Sequence, residues 1–467
     1  MGCVHFKSIL NLTFFLFVFA QVRSEVVISE FMPCNISTKL NEKNNYTGWV
    51  EFYNSDEKEF NLKGSTVYQY KKKGSLKWAF TFEYDCVVPA DGYALVFFDK
   101  TPKDVSNPQQ KGHAPFKVDT DGGRLELVTI NGTSFEVSYP QMYPHLSFGV
   151  KNGEAGYMKP TPKKKNSTPY ADISTSRCAK PTFSTLRPGV YDNIDNRVSI
   201  SCATSNAKIY YTTDGSIPSS KSTLYEGAFD ISNSAVVRAI AVKDDMLPSE
   251  ILTGSFLSYS NAHSSCGNAN ESLVVSLTAN KDHFYSDELG IYVVGSNGVE
   301  GEKSCIGGRA NYNQEWDRPV NFEYFKNGEQ KFSQEAEVAV MGGCSRKSDN
   351  KVKSLKITTG KKTGSATYSY NPYPSDEKKS ANVYASFQLR NGGNAYDAEN
   401  VRVRDAFMQS IAMDMGNIDY QAFQPVGFYL NGSYKGLMGL RERTNKEYVF
   451  SNYGYDEDEI DLVALVE

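Results

Sequence analysis

The chain has 467 residues and a mass of 52.0 kDa, more than one ordinary core holds, so two to four domains are expected. Its 50 Lys and Arg nearly balance 54 Asp and Glu, which excludes the basic face of a nucleic-acid binder. Hydrophobic residues at 40%, with 30 Tyr and 27 Phe, exclude wholesale disorder and favour strands, and five scattered His exclude H-E-x-x-H zinc chemistry.

At the N-terminus, Lys7 precedes an apolar run from Ile9 to Ala20, broken only by Asn11 and Thr13. The run is too short to span a bilayer comfortably, and the small residues Ala20 and Ser24 follow it. Residues 1–24 read as a secretory signal peptide cut after Ala20 or Ser24. No second apolar stretch approaches membrane-spanning length, so a secreted or extracellular-surface product without a transmembrane segment is expected. Of 8 Cys, Cys3 lies in the signal, and none forms a C-x-x-C pair. Sequence-local pairing suggests the disulfides Cys34–Cys86, Cys178–Cys202 and Cys305–Cys344, leaving Cys266 over. N-x-[ST] sequons mark Asn35, Asn45, Asn131, Asn166, Asn270 and Asn431 as candidate glycosylation sites.

Residues 25–150 read as short strands such as Trp49-Val50-Glu51-Phe52-Tyr53, bounded by turns at Asn54-Ser55-Asp56 and Asp121-Gly122-Gly123. That spacing predicts a β-sandwich. The pattern Ile28-Ser29-Glu30-Phe31, Gly48-Trp49-Val50-Glu51-Phe52-Tyr53-Asn54, Asn61-Leu62-Lys63-Gly64 and Pro89-Ala90-Asp91-Gly92-Tyr93 resembles a lamin-tail-type immunoglobulin-like domain. Such a domain binds or spaces, and Trp49 and Trp78 read as core fillers rather than sugar platforms. Residues 151–178, rich in Lys, Pro, Ser and Gly with a Lys163-Lys164-Lys165 run, read as a linker.

Residues 179–257 hold a second strand-rich module. Its string Ile209-Tyr210-Tyr211-Thr212-Thr213-Asp214-Gly215-Ser216-Ile217-Pro218 resembles the small β-sandwich appended to chitobiases and hexosaminidases. Asp214 sits in the D-G turn and reads as structural, and no paired carboxylates for glycoside hydrolysis are visible.

In residues 270–467 the clearest helix runs from Val401 to Met415, with Ala406, Phe407, Ile411 and Met415 spaced for one apolar face. A strand–Asn431-Gly432–strand hairpin follows. Arg346, Lys353 and Lys356 gather beside the Gly342-Gly343 turn. By residue type they fit solvated cations or a phosphate site, with no Walker or G-x-G-x-x-G motif to decide.

Eight strings then occur in order: A-N-Y (310–312), E-W-D-R-P (315–319), G-G-C-S-R (342–346), K-S-L-K-I (353–357), L-R-N-G-G-N (389–394), R-D-A-F-M-Q (404–409), N-G-S-Y-K-G (431–436) and L-R-E-R (440–443). Their order resembles the CotH family, spore-coat and fungal-surface proteins with an atypical Ser/Thr protein-kinase fold. The resemblance implies an α+β kinase-like domain after two all-β immunoglobulin-like sandwiches. It also implies ATP and Mg²⁺ as cofactors and Ser/Thr of secreted or surface proteins as acceptors. Arg346, Lys353 and Glu442 match its ATP-binding positions.

The family's catalytic aspartate and W-D-x-D metal motif lie beyond L-R-E, and the chain ends at Glu467. No catalytic or metal residue can therefore be assigned, and the expectation is an incomplete domain, truncated or noncatalytic. Asn445 stands where the family usually has Asp, and the acidic stretch Asp456 to Asp461 reads as a solvated loop. The alternatives are a noncatalytic adhesion protein of the cell surface and a glycan-attachment protein.

Overall fold

A computed structural model describes residues 26–99, 112–259 (without 195 and 232), 272–299, 308–346, 351–373, 381–392 (without 382), 404–455 (without 417) and 459–463. The expected signal peptide, Cys266, Cys305 and Asn270 lie outside these residues. Among the described residues no helix is long and apolar enough to cross a membrane.

The first module packs two sheets face to face. One has six strands in the order Glu154–Met158, Ser147–Lys151, Val26–Met32, Trp49–Asn54, Gly92–Phe98 and His113–Ala114. The other has four, in the order Ser134–Tyr139, Gly123–Val128, Thr66–Lys71 and Leu76–Thr81. Alternation along these strands sends Val50, Phe52, Val67, Phe80, Val96 and Leu125 into a shared core. Trp49 and Trp78 are both buried, the latter stacked on Phe116 at 5.0 Å, in the packing role expected.

The segment read as a linker is integral to this module. Glu154–Met158 forms the edge strand of the larger sheet, paired from Ser147↔Met158 to Lys151↔Glu154. The turn after it serves two buried carboxylates. Thr161 donates its amide and hydroxyl to Glu30 at 2.9 and 2.7 Å, and the Lys163 amide donates to Glu51. Asn166 donates to the Ser29 and Val150 carbonyls at 2.8 and 2.9 Å. A buried charge without partners is costly, so Glu30 and Glu51 hold the turn in place. Composition signalled a loop and could not reveal the acids beneath it.

The second module centres on Val198, Ile200, Ile209, Val237, Ala239 and Phe256. Its Asp214 accepts from the Ser216 amide at 2.9 Å, a turn-building role as expected. The D-G turn opens a long excursion and not a tight hairpin, since Lys208–Thr212 next pairs with Thr223–Leu224. Gly215 (φ +84°) lies so close to the C-terminal module that an added Cβ would meet the Ala279 carbonyl at 2.4 Å.

The C-terminal module closes on itself. Strands run Glu329–Val340, Arg318–Lys326, Leu273–Thr278, Phe423–Leu430, Ser433–Glu442, Ser386–Arg390 and Leu355–Thr358, and the last pairs back onto the first. This seven-stranded ring has one parallel pair, Leu273–Thr278 with Phe423–Leu430. Closure pairs Glu337–Val340 with Leu355–Thr358, so the sheet has no free edge strand there. Its interior is filled by Leu277, Phe322, Val338, Ile357, Phe387, Phe428 and Leu440. The module is thus more β-rich than the expected α+β arrangement. Asn431 (φ 48°) and Gly432 (φ 77°) make the hairpin turn as expected. The expected helix is observed over Arg404–Met415, but its apolar residues do not pack inward. Only Ala406 is buried, while Phe407 and Met415 are about 60% exposed.

The three modules interlock. Buried Glu323 of the barrel accepts the Ser255 amide of the second module at 3.0 Å. Arg238 of the second module lies 3.5 Å from Glu335 of the barrel, and Glu335 also takes His145 of the first at 3.0 Å. Arg318 donates to the Asn44 carbonyl at 2.6 Å.

Candidate functional site

The rim of the barrel above Leu355 collects four of the sequence strings. Gly342, with φ 95°, begins the turn that ends in the 3-10 segment Cys344–Arg346. Cys344 is disulfide-bonded, which pins this turn. Arg346 turns its guanidinium back onto the Gly342 carbonyl, and burial pulls its pKa down against the nearby Glu315. Lys353 follows and is almost completely buried. Its Nζ donates to the Arg346 carbonyl at 2.7 Å and lies 4.7 Å from the centre of the Tyr312 ring. A buried ammonium requires such contacts, a carbonyl oxygen and an aromatic face. Next to it, Ser354 donates to Asn391 Oδ1 at 2.8 Å, and Asn391 Nδ2 donates to the Val352 carbonyl at 2.8 Å. Tyr312 of A-N-Y, Arg346 of G-G-C-S-R, Lys353 of K-S-L and Asn391 of L-R-N therefore meet at one place. The arrangement presents two cations beside a glycine turn, the chemistry that an anionic oxygen needs.

Glu442 is not part of that rim. Ile357 pairs with Phe387, and Phe387 with Glu442, so Glu442 lies level with Ile357 on the neighbouring strands. Lys353 is four residues further along and two strands across. At roughly 3.3 Å per residue and 4.8 Å per strand, the two backbones are about 16 Å apart along the sheet. Glu442 is instead held by the Ala422 amide at 2.9 Å and Asn452 Nδ2 at 3.1 Å. It lines a pocket of only about 10 Å³ with Ser386, Asn445 and Tyr448, room for about one water. The single cleft expected for Arg346, Lys353 and Glu442 is thus divided between two ends of the barrel. Lys356 faces away from both and pairs with Asp317 at 3.5 Å.

Other predicted positions also resolve. Asn445 caps the helix Lys446–Tyr453, accepting from the Tyr448 amide at 2.9 Å. Asp405 of R-D-A and Arg441 of L-R-E-R form an ion pair that ties the helix Arg404–Met415 to the barrel. In the acidic stretch, Glu459 and Asp461 are exposed.

Asn35 and Asn166 are buried, and their side-chain amides donate to carbonyls; Asn35 Nδ2 reaches those of Lys39 and Thr47. Asn45 Nδ2 donates to the Glu315 carbonyl across a module seam, and Asn431 Nδ2 to the Ala279 carbonyl within the barrel. Asn35 and Asn166 each use both amide hydrogens in the interior, so a glycan on either nitrogen would break a buried bond, whereas Asn45 and Asn431 are half-buried and use one each. Asn131 is exposed.

Cys34, Cys86, Cys178 and Cys202 are free thiols, which corrects two of the three expected pairs. Cys34 Sγ faces the Lys361 carbonyl of the barrel, and Cys202 Sγ donates to the Ala179 carbonyl at 3.2 Å. Proximity in sequence did not bring each pair into bonding geometry.

Sequence reading missed Tyr312 and Asn391 as partners of the lysine segment, although both lie inside quoted strings. Nothing in the sequence signalled the seams.

Comparison with known proteins places two families on this geometry. Residues 338–465 match the CotH kinase protein family, and residues 186–253 match the chitobiase/beta-hexosaminidase C-terminal domain. The chain therefore carries a CotH kinase domain and a chitobiase-type module, with kinase-like resemblance in the former. No curated protein matches the chain. Among solved structures, fibronectin(III)-like modules of Clostridium thermocellum CbhA are similar at 11% identity, over 44% of this chain and 87% of that chain, with a TM-score of 0.14. A likeness that slight carries no argument.

Proposed function

We propose that this is a secreted or surface CotH-family protein whose Arg346–Lys353 rim binds the phosphates of a nucleoside triphosphate. The observation that carries the reading is the convergence of Lys353, Arg346 and Tyr312 at a glycine turn pinned by Cys344. When bound, Mg²⁺ and ATP would supply charge neutralisation and the transferable phosphoryl group, which the family implies is passed to secreted proteins. In this reading Lys353 exchanges its carbonyl partner for a phosphate oxygen and Arg346 supports it.

The experiment is an ATP–Mg²⁺ titration of the full chain by calorimetry, with Lys353→Met, Arg346→Ala and Glu442→Gln as variants. Binding should fall at least about tenfold in the first two, the loss of one charge-assisted bond, and stay unchanged in the third. Absence of saturable binding to the wild type refutes the nucleotide reading. Equal loss in Glu442→Gln refutes the placement.

A second reading, a noncatalytic surface-binding protein, is favoured by the separation of Glu442 from Lys353. The interlocked modules would then present one rigid surface to cells or glycans, with the first sandwich, lamin-tail-like in sequence, as part of it. Retained binding to cells without any nucleotide binding supports it.

A further inference from the structure

A cleft of about 600 Å³ opens where the first sandwich meets the barrel, about 20 Å of strand away from Lys353 at the Thr359 end. Ligand sites of this size are commonly found at such module junctions. Its walls carry four lysines, Lys77, Lys117, Lys361 and Lys362, against four carboxylates, Asp99, Asp119, Asp317 and Glu337.

The carboxylates are already compensated. Asp119 takes Lys77 at 2.7 Å, Glu337 takes Lys362, Asp317 takes Lys356 at 3.5 Å, and Asp99 takes His113 at 2.8 Å. Lys361 pairs in turn with Asp121, so a phosphate or an acidic peptide would compete with carboxylates already in place, and the cleft favours a neutral ligand. It offers alternating donors and acceptors instead, fixed in position.

Two residues of its wall shape it. Thr47 lines the cleft, and its hydroxyl is buried within the wall with no hydrogen-bond partner. Tyr46 also lines it and is held ready: its hydroxyl meets His283 Nε2 at 3.2 Å and its carbonyl accepts Lys362 Nζ at 2.6 Å. Phe98 and Val118 add an apolar floor. Uncharged hydroxyl groups satisfy such donors and acceptors together, and C–H faces pack on aromatic rings. We propose that this cleft binds a short neutral oligosaccharide, at a site distinct from the Arg346–Lys353 rim and independent of any nucleotide.

The test titrates the full chain with chitotriose, cellotriose, maltotriose and inorganic phosphate, followed by saturation-transfer NMR and calorimetry. Thr120→Trp, at a half-exposed cleft position, fills the space, and Tyr46→Ala removes the ring. Circular dichroism and the unfolding midpoint establish that each variant folds. At least one trisaccharide should bind at one site per chain, weaken at least about tenfold in Tyr46→Ala and vanish in Thr120→Trp. No binding by any of the three sugars overturns the proposal. Binding that survives Thr120→Trp moves the sugar elsewhere and overturns it too, as does phosphate binding that Thr120→Trp abolishes.

Discussion

Glu323 lies at the seam between the second module and the barrel, and its replacement by Gln reports how that seam is held. Its Oε1 accepts the Ser255 amide at 3.0 Å and Gln330 Nε2 at 2.6 Å, and its Oε2 faces the Ser255 hydroxyl. Burial pushes its pKa from 4.5 up to about 7, against the pull of the Ser255 and Gln330 bonds and of Arg238. A raised folded-state pKa means that the native protein binds a proton the unfolded chain has lost. This stabilisation is fully present below pH 4.5 and is lost as pH rises through about 7. The gap between the two values corresponds to about 3 kcal/mol, at about 1.4 kcal/mol per pH unit.

Glu323→Gln keeps a neutral planar group of the same shape. Its carbonyl can accept the same two donors and its amide can donate to Ser255. The variant should match wild type near pH 4.5 and exceed it by up to about 3 kcal/mol above pH 7. Urea unfolding followed by tryptophan fluorescence across this range measures the difference. A variant less stable than wild type above pH 7 would refute the reasoning, since it would mean that an ionised Glu323 pairs productively with Arg238.

Asn166→Ala should destabilise the first module by about 2–3 kcal/mol, because it strips two buried carbonyls of their donor; a shift of the urea midpoint measures it, and no shift would make the turn a mere tether. Burial raises the Cys34 thiol to about 12 and the Cys86 thiol to about 11, so neither should react with iodoacetamide in the native protein near pH 8, while both should label in urea. Mass spectrometry of the alkylated peptides decides that. In a glycosylating host, Asn131→Gln should remove a glycan from the described part of the chain, and Asn35→Gln should remove none; peptide mapping checks both.

Much of the local architecture was legible beforehand. Asn431-Gly432 must turn because both residues accept positive φ, and the alternating Val50 and Phe52 must face a core. The string order 310–443 pointed to the CotH kinase domain that residues 338–465 match. Other features were hidden because they depend on partners far along the chain. Residues 159–166 look like a linker by composition, yet their amides serve Glu30 and Glu51, more than 100 positions earlier. The spacing of Phe407, Ile411 and Met415 describes an apolar helix face but does not say what covers it. A sequon records three residues and not the burial of its nitrogen, so Asn35 and Asn131 looked alike.

By itself the sequence determined the strand-rich modules, the turns that bound them and the residues available for chemistry, since these follow from side-chain alternation and local backbone preference. Tertiary structure alone decided which of those residues meet. Closure of seven strands into a ring brought Tyr312, Arg346, Lys353 and Asn391 to one rim and carried Glu442 to the other end. Strand register sets such distances, and register depends on hydrogen bonds between segments that no local pattern contains.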